Sequence, residues 1–149
     1  MKTNYPISSV LVHKTSSLWS IAPEATVFEA IKLMAEKNIG SLLVMSGGKL
    51  AGGITERDYT RKIALQGKTS KETRVREIMP HEFITVTPDD SVEDCMRMMT
   101  EHRVRHLPVM EADNVVGLVS IGDLVNWIIS TQNSQIEQME QYISGGVTT

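Results

Sequence analysis

Residues 20–59 return as residues 85–124 at a constant offset of 65, with no insertion or deletion between the copies. Identities include Pro23/Pro88, Val27/Val92, Met34/Met99, Leu42/Leu107, Val44-Met45/Val109-Met110, Gly52/Gly117 and Asp58/Asp123. Chemical class is kept at Glu24/Asp89, Thr26/Ser91, Lys32/Arg97, Ile39/Val104, Ile54/Val119 and Thr55/Ser120. A duplication this long constrains the fold more than any composition, because each copy is a supersecondary unit whose apolar face needs a neighbour. Two copies closing face to face make a pseudo-twofold body, and the cleft expected between them is where function should sit.

Each copy reads as β-α-β-β-α. Residues 18–22 and 83–87 are strand-like and each is followed by a proline. A helix signal comes next: Thr26 with Glu29, and Ser91 with Asp94, place a hydroxyl at the N-cap and a carboxylate three residues on. Apolar residues recur at Val27, Ala30, Ile31 and Met34, and at Val92, Cys95, Met96 and Met99, one face of an amphipathic helix. These helices are predicted to end near 38–40 and near Arg103. Apolar runs at 42–45 and 107–110 read as buried strands. Turns at 46–49 and 111–114 lead from them to third strands at 50–54 and 115–119. Second helices start after Thr55 and Ser120 and run to about Leu65 and about Thr131. Three strands cannot cover both faces of their own sheet, so the copies are expected to pack together.

The predicted class is therefore α+β: two pseudo-twofold β-α-β-β-α repeats with small three-stranded sheets, plus a C-terminal amphipathic helix. The boundaries are 7–69 for the first repeat, 70–131 for the second and 132–149 for the helix and tail. Residues 75–79 look like a single helical turn leading into the second copy, and 7–11 have the spacing to do the same for the first. Ile136, Met139 and Ile143 continue the helical spacing from Ile129. Their polar face carries Glu137 and Glu140 with no lysine or arginine, which suits a protein surface better than a membrane.

Composition removes whole classes of function. Net charge is −3, from 15 Lys+Arg against 18 Asp+Glu, so a non-specific polyanion binder is not indicated. Cys95 is the only cysteine, which excludes an intrachain disulfide and a cysteine-based zinc site. Apolar runs fall short of the roughly 20 residues needed to span a bilayer. Residues 1–9 lack a signal-peptide core, so a cytoplasmic protein is the default expectation. His13, His81, His102 and His106 show no metal-ligand spacing, and a Walker-type loop or paired acid and base is missing, which argues against an enzyme.

The residues 52–58 (GGITERD), 105–109 (RHLPV) and 117–123 (GLVSIGD), set in duplicated β-α-β-β-α order, resemble the CBS motif. The chain resembles a tandem CBS pair, or Bateman module, of the stand-alone bacterial and plant-organellar type, over roughly residues 7–130. The resemblance implies a regulatory sensor that binds AMP, ADP or ATP, or else NAD(H) or S-adenosylmethionine, in the cleft between repeats. It implies that Asp58 and Asp123 accept hydrogen bonds from the ribose diol. Thr55, Ser120 and nearby basic residues would then face phosphate, with apolar residues around the adenine, Ile39 and Val104 among them. It also implies homodimers, and through the plant relatives a redox partner such as a thioredoxin.

The residues support this chemistry while leaving a plainer reading open. A carboxylate offers two acceptor oxygens to a vicinal diol. Asp58 and Asp123 fall in the first turns of helices, where the macrodipole favours negative charge and free N–H groups suit phosphate. Ordinary capping selects the same Thr55-x-x-Asp58 and Ser120-x-x-Asp123 pattern without any ligand. Arg105 and His106 precede the second strand of copy two, where copy one has Gly40-Ser41. Arg57 precedes Asp58, where copy two has Gly122. Arginine binds phosphate through charge-assisted bidentate bonds. Pro108, opposite Leu43, stiffens the backbone beside the expected adenine position. The difference in charge predicts two nucleotide sites of unequal strength or specificity. A ligand-free dimerisation scaffold is the competing function.

Overall fold

In the computed structural model, residues 4–12 and 18–141 are described. Their elements, in order, are α1 (Ile7–Val12), β1 (Ser20–Ile21), α2 (Val27–Lys37), β2 (Ser41–Ser46), β3 (Lys49–Thr55) and α3 (Glu56–Tyr59). A π-helical turn (Thr60–Ala64) follows, then α4 (Val75–Ile78), α5 (Val92–His102), β4 (His106–Glu111), β5 (Asn114–Ser120) and α6 (Ile121–Gln141).

The matched helices α2 and α5 begin and end by the same chemistry. The Thr26 hydroxyl accepts from the Glu29 N–H at 3.1 Å, and the Ser91 hydroxyl accepts from the Asp94 N–H at 3.0 Å. Each helix stops on a left-handed residue, Asn38 at φ 54 and Arg103 at φ 55. The Ile39 N–H then donates back to the Met34 carbonyl and the Val104 N–H to the Met99 carbonyl, both at 3.0 Å. That bond closes the helix end in a Schellman arrangement.

The sheets of the two copies differ by one proline. In copy one the sheet order is β1-β2-β3, with β1 parallel to β2 through Ser20/Leu43 and Ile21/Val44, and β2 antiparallel to β3. In copy two β4 and β5 form a two-stranded sheet, and the strand expected at 83–87 shrinks to a single parallel bridge, Val86/Val109. In copy one the Leu43 N–H donates to the Trp19 carbonyl at 3.2 Å. Its counterpart, Pro108, has no N–H to give, so that ladder position cannot form. The bond on the other side survives, from the Val86 N–H to the Pro108 carbonyl at 3.0 Å.

Two compact units emerge, and each exchanges its short helical turn with the other copy. One unit comprises residues 18–85 and Met110–Gly117; the other comprises 4–12, Val86–Val109 and 118–141. The turn α4 precedes copy two in the chain but packs on copy one, its Val75 N–H donating to the Ala25 carbonyl at 2.8 Å and Arg76 to Pro23 at 3.0 Å. The turn α1 does the same for copy two: Ile7 N–H donates to Asp90 at 2.8 Å and Ser8 to Pro88 at 3.0 Å. The acceptors are matched pairs at the offset of 65. Each copy thus carries the same docking edge, and the turn that fills it comes from the more distant stretch of chain.

Both units have a largely apolar interior. Around copy one, Val27, Ala30, Met34, Leu42, Val44, Ile54 and Ile63 pack with Val75 and Ile78 of α4. In the other unit Ile7, Val10, Val92, Cys95, Met99, Leu107, Val109, Val119 and Leu124 are buried. Full burial of one such aliphatic side chain contributes about 1.5–3 kcal/mol. At Gly52 a Cβ would meet Met79 Sδ at 3.6 Å, an ordinary contact, so packing alone does not require glycine there.

The expected C-terminal amphipathic helix is present as the continuation of the last repeat helix. In copy one the helical path stops at Gly67, φ +66, with the Lys68 N–H donating to the Ile63 carbonyl at 3.0 Å. Glycine reaches that backbone conformation without a Cβ clash. Gln132 stands at the matching position of copy two, and α6 runs through it unbroken to Gln141. Ile143 lies outside the described residues. Among the described residues, no helix is long and apolar enough to cross a membrane.

Candidate functional site: two aspartate corners

Where β3 meets α3, Thr55 and Asp58 form a reciprocal capping box. The Asp58 N–H donates to the Thr55 hydroxyl at 3.1 Å, while Asp58 Oδ2 accepts from the Thr55 N–H at 2.9 Å and its hydroxyl at 3.1 Å. At the β5–α6 junction the Asp123 N–H donates to the Ser120 hydroxyl at 3.1 Å, and Asp123 Oδ2 accepts from the Ser120 N–H at 2.9 Å. The plain capping role is therefore realised in both copies. It engages Oδ2 of each carboxylate, and an ionised carboxylate has about four lone-pair sites.

A second bond sits behind each corner. The Glu56 N–H donates to the Gly40 carbonyl at 3.1 Å, and the Ile121 N–H donates to the Arg105 carbonyl at 2.8 Å. The first helical residue is thus tied to the residue preceding the buried strand. Ile39, Thr55 and Asp58 are gathered in one unit, and Val104, Arg105, Ser120 and Asp123 in the other. Arg57 is exposed on α3 beside Asp58, and Arg105 and Val104 are exposed. His106 and Pro108 are half-buried in β4.

Asp58 has a cation at hand that sequence reading overlooked. Lys62 Nζ lies 3.9 Å from Asp58 Oδ1 and donates to the Ile78 carbonyl at 2.7 Å. An ammonium has three donors, so this anchorage leaves it capacity for an anion. Copy two has Trp127 in that place. Extending the offset of 65 one turn past the aspartate would have exposed the contrast.

Asp123 also stands at one end of an open groove of about 490 Å³ inside its own unit. Asn126, Trp127, Ser130, Thr131 and Ser134 line it along one face of α6, together with Val10 of α1. The Trp127 ring meets Tyr5 edge to face, centroids 5.6 Å apart at 79°. Asn126, Ser130, Thr131 and Ser134 gave no signal in the sequence, because serine, threonine and asparagine on a helix carry no motif.

Cys95 is buried, and burial followed by the charge of Asp90 pushes its thiol up to about 11. It lacks the thiolate character that nucleophilic or redox chemistry requires. Among the described residues, no three His, Cys, Asp or Glu side chains are grouped to hold a metal ion.

The duplicated corners on small sheets define a tandem repeat module, and the comparisons give the family. The CBS domain family model matches residues 7–65 and 75–130, so the chain belongs to the CBS-domain family, as a pair of such domains. A CBS-domain structure from Burkholderia ambifaria MC40-6, described as a candidate signal-transduction protein, is 46% identical with a TM-score of 0.83, covering 86% of this chain and 96% of its own. The mitochondrial CBS domain-containing protein CBSX3 of Arabidopsis thaliana is 42% identical over 94% of this chain and 72% of its own length. A CBS-domain pair solved in complex with 5′-methylthioadenosine and S-adenosylmethionine shares the fold, with a TM-score of 0.74 at 24% identity, over 85% of this chain and 98% of its own.

Proposed function

We propose that the chain is a non-enzymatic regulatory module that binds an adenosine nucleotide and reports energy or redox state to a partner protein. AMP, ADP and ATP are the leading ligands, with NAD(H) and S-adenosylmethionine in the same chemical class. The observation that carries this reading is the repetition of the corner with its strand tether. Capping alone asks for a hydroxyl and a carboxylate at a helix start. It does not ask that both copies also tie that helix start to Gly40 or Arg105. Asp58 and Asp123 are assigned to the ribose diol, Thr55, Ser120, Arg57, Arg105 and His106 to phosphate, and Ile39, Val104 and Pro108 to the base. That a pair of this fold holds adenosyl ligands in another protein supports the class of ligand. A cytoplasmic setting is proposed, although the Arabidopsis relative is mitochondrial.

A thermal-shift series with AMP, ADP, ATP, NAD, NADH and S-adenosylmethionine tests the proposal. A ligand at 100 times its Kd stabilises the native state by about 2.7 kcal/mol. A flat midpoint against every compound at millimolar concentration would remove the reading.

The second reading, a ligand-free dimerisation scaffold, is favoured by α6. Val125, Ile129, Ile136 and Met139 fall on one face of it and remain 39–51% exposed. Homodimerisation is proposed under either reading. Sedimentation of Ile129→Glu/Ile136→Glu chain tests it, with a dimer as stable as the parent's counting against this face.

A further inference from the structure

Lys62 belongs to the π-helical turn Thr60–Ala64, and its tip is fixed by a contact that capping does not require. The ammonium donates to the Ile78 carbonyl at 2.7 Å. Ile78 is the last residue of α4, and carbonyls at a helix end lack intrahelical partners, so the lysine satisfies an otherwise open acceptor. The turn α4 is itself secured to copy one by Arg74 and Arg76, which pair with Glu24 at 3.3 and 3.1 Å. The fold therefore places this ammonium, even with the lysine side chain 39% exposed.

From that anchorage Nζ lies 3.9 Å from Asp58 Oδ1. The gap is too long for a direct hydrogen bond and suits one oxygen atom set between the two groups. An oxygen about 2.7 Å from the carboxylate and about 2.9 Å from the ammonium makes an angle of about 90° with them. A sugar hydroxyl fits this slot, because it donates its proton to the carboxylate and accepts from the ammonium through a lone pair. The cap to Thr55 runs through Asp58 Oδ2, at 2.9 and 3.1 Å, and leaves Oδ1 on the lysine side. A fully ionised phosphate oxygen suits the slot poorly, having no proton to give and meeting the carboxylate's charge.

We infer that Lys62 is a ribose-binding residue of the Asp58 corner, donating to the same hydroxyl that donates to Asp58 Oδ1. This rests on the adenosine-ligand reading above and adds to it a residue that reads the diol. Trp127 stands at the matching position of copy two, so a lysine-dependent clamp belongs to copy one. Because the ammonium also holds the last carbonyl of α4, a ribose seated there tightens α4 on the copy it packs against.

The test titrates the full chain and its Lys62→Met variant with AMP, 2′-deoxy-AMP and 3′-deoxy-AMP, following the backbone amides of Asp58 and Met79 by NMR. The parent should bind AMP about tenfold more tightly than the analogue lacking the bridging hydroxyl, as expected for a hydrogen bond to a charged group. Lys62→Met should weaken AMP by about five- to tenfold and leave that analogue within about twofold, because the ammonium bonds only the hydroxyl. An equal loss for all three ligands would give Lys62 a structural role and overturn the inference, as would an AMP affinity unmoved by the substitution. A parent that binds AMP and both deoxy analogues equally overturns it without any variant, so the matter is decided even if Lys62→Met folds poorly. Shifts confined to amides around Asp123 overturn it while the broader adenosine reading stands. No shift with these ligands or with ATP, NAD or S-adenosylmethionine sinks both.

Discussion

Replacing Asp58 separates its structural role from its proposed ligand role, because alanine and asparagine remove different things. Its Oδ2 accepts two hydrogen bonds from Thr55, at 2.9 and 3.1 Å. Alanine deletes both bonds and leaves the Thr55 N–H, in a half-buried residue, without its cap. At a net value of about 0.5–1.5 kcal/mol per bond the loss is roughly 1–3 kcal/mol, in line with measured cap deletions of about 0.5–2 kcal/mol. The Lys62 contact adds little, since that lysine is 39% exposed and the pair is solvent-screened. For a chain of about this size each kcal/mol lowers the midpoint by roughly 2–4 °C, so Asp58→Ala should melt about 2–12 °C below the parent without ligand. Asp58→Asn keeps a carbonyl oxygen for the Thr55 N–H and should lose at most about half of that stability. It removes the charge assigned to the diol in the proposed function, so its affinity for AMP should fall on the order of tenfold or more, as expected for a hydrogen bond to a charged group worth about 1.5–3 kcal/mol. Scanning calorimetry of the free proteins and titration calorimetry with AMP read the two effects separately. If Asp58→Asn binds AMP as tightly as the parent, the carboxylate is only a cap and the ribose assignment is wrong.

Three more outcomes follow from local geometry. Gly67→Ala forces a Cβ into a left-handed backbone with nothing within 4 Å to clash, so its cost should be backbone strain alone, about 1–2 kcal/mol by urea unfolding; an unchanged midpoint would show that the stop is not needed. Cys95 ionises near 9 when unfolded and at about 11 when folded, so the folded state holds its proton longer and stability should fall as pH rises from about 9 toward 11. The slope should approach about 1.4 kcal/mol per pH unit and disappear in Cys95→Ala; a slope that persists in that variant refutes the assignment. Pro108→Leu restores the N–H that copy two lacks, and an amide at 108 that exchanges slowly would report a second strand pairing beside Val86/Val109; fast exchange there would mean proline is not what shortened the sheet.

Local physics was legible in the residues themselves. Thr26, Ser91, Thr55 and Ser120 cap helices because hydroxyls at those positions meet free N–H groups of the first turn, and that chemistry spans only three residues. The apolar spacing through Met34 and Met99 located the buried faces of α2 and α5 for the same reason. The repeat at an offset of 65 carried the β-α-β-β-α order, since two copies under one packing constraint repeat one pattern. What sequence reading missed was decided between residues far apart or by a single absent atom. The exchange of α1 and α4 depends on backbone edges at 23–27 and 88–92 that look alike, so adjacency in the chain does not say which turn fills which edge. The loss of a strand in copy two hinges on the missing N–H of Pro108, and the length of α6 on glycine being replaced by Gln132. The hydroxyl-lined groove on α6 also takes Val10 of α1 into its lining, a residue far away in the chain. Polar helix positions have no pattern until a neighbour gives them an inside, and that neighbour is chosen by tertiary packing.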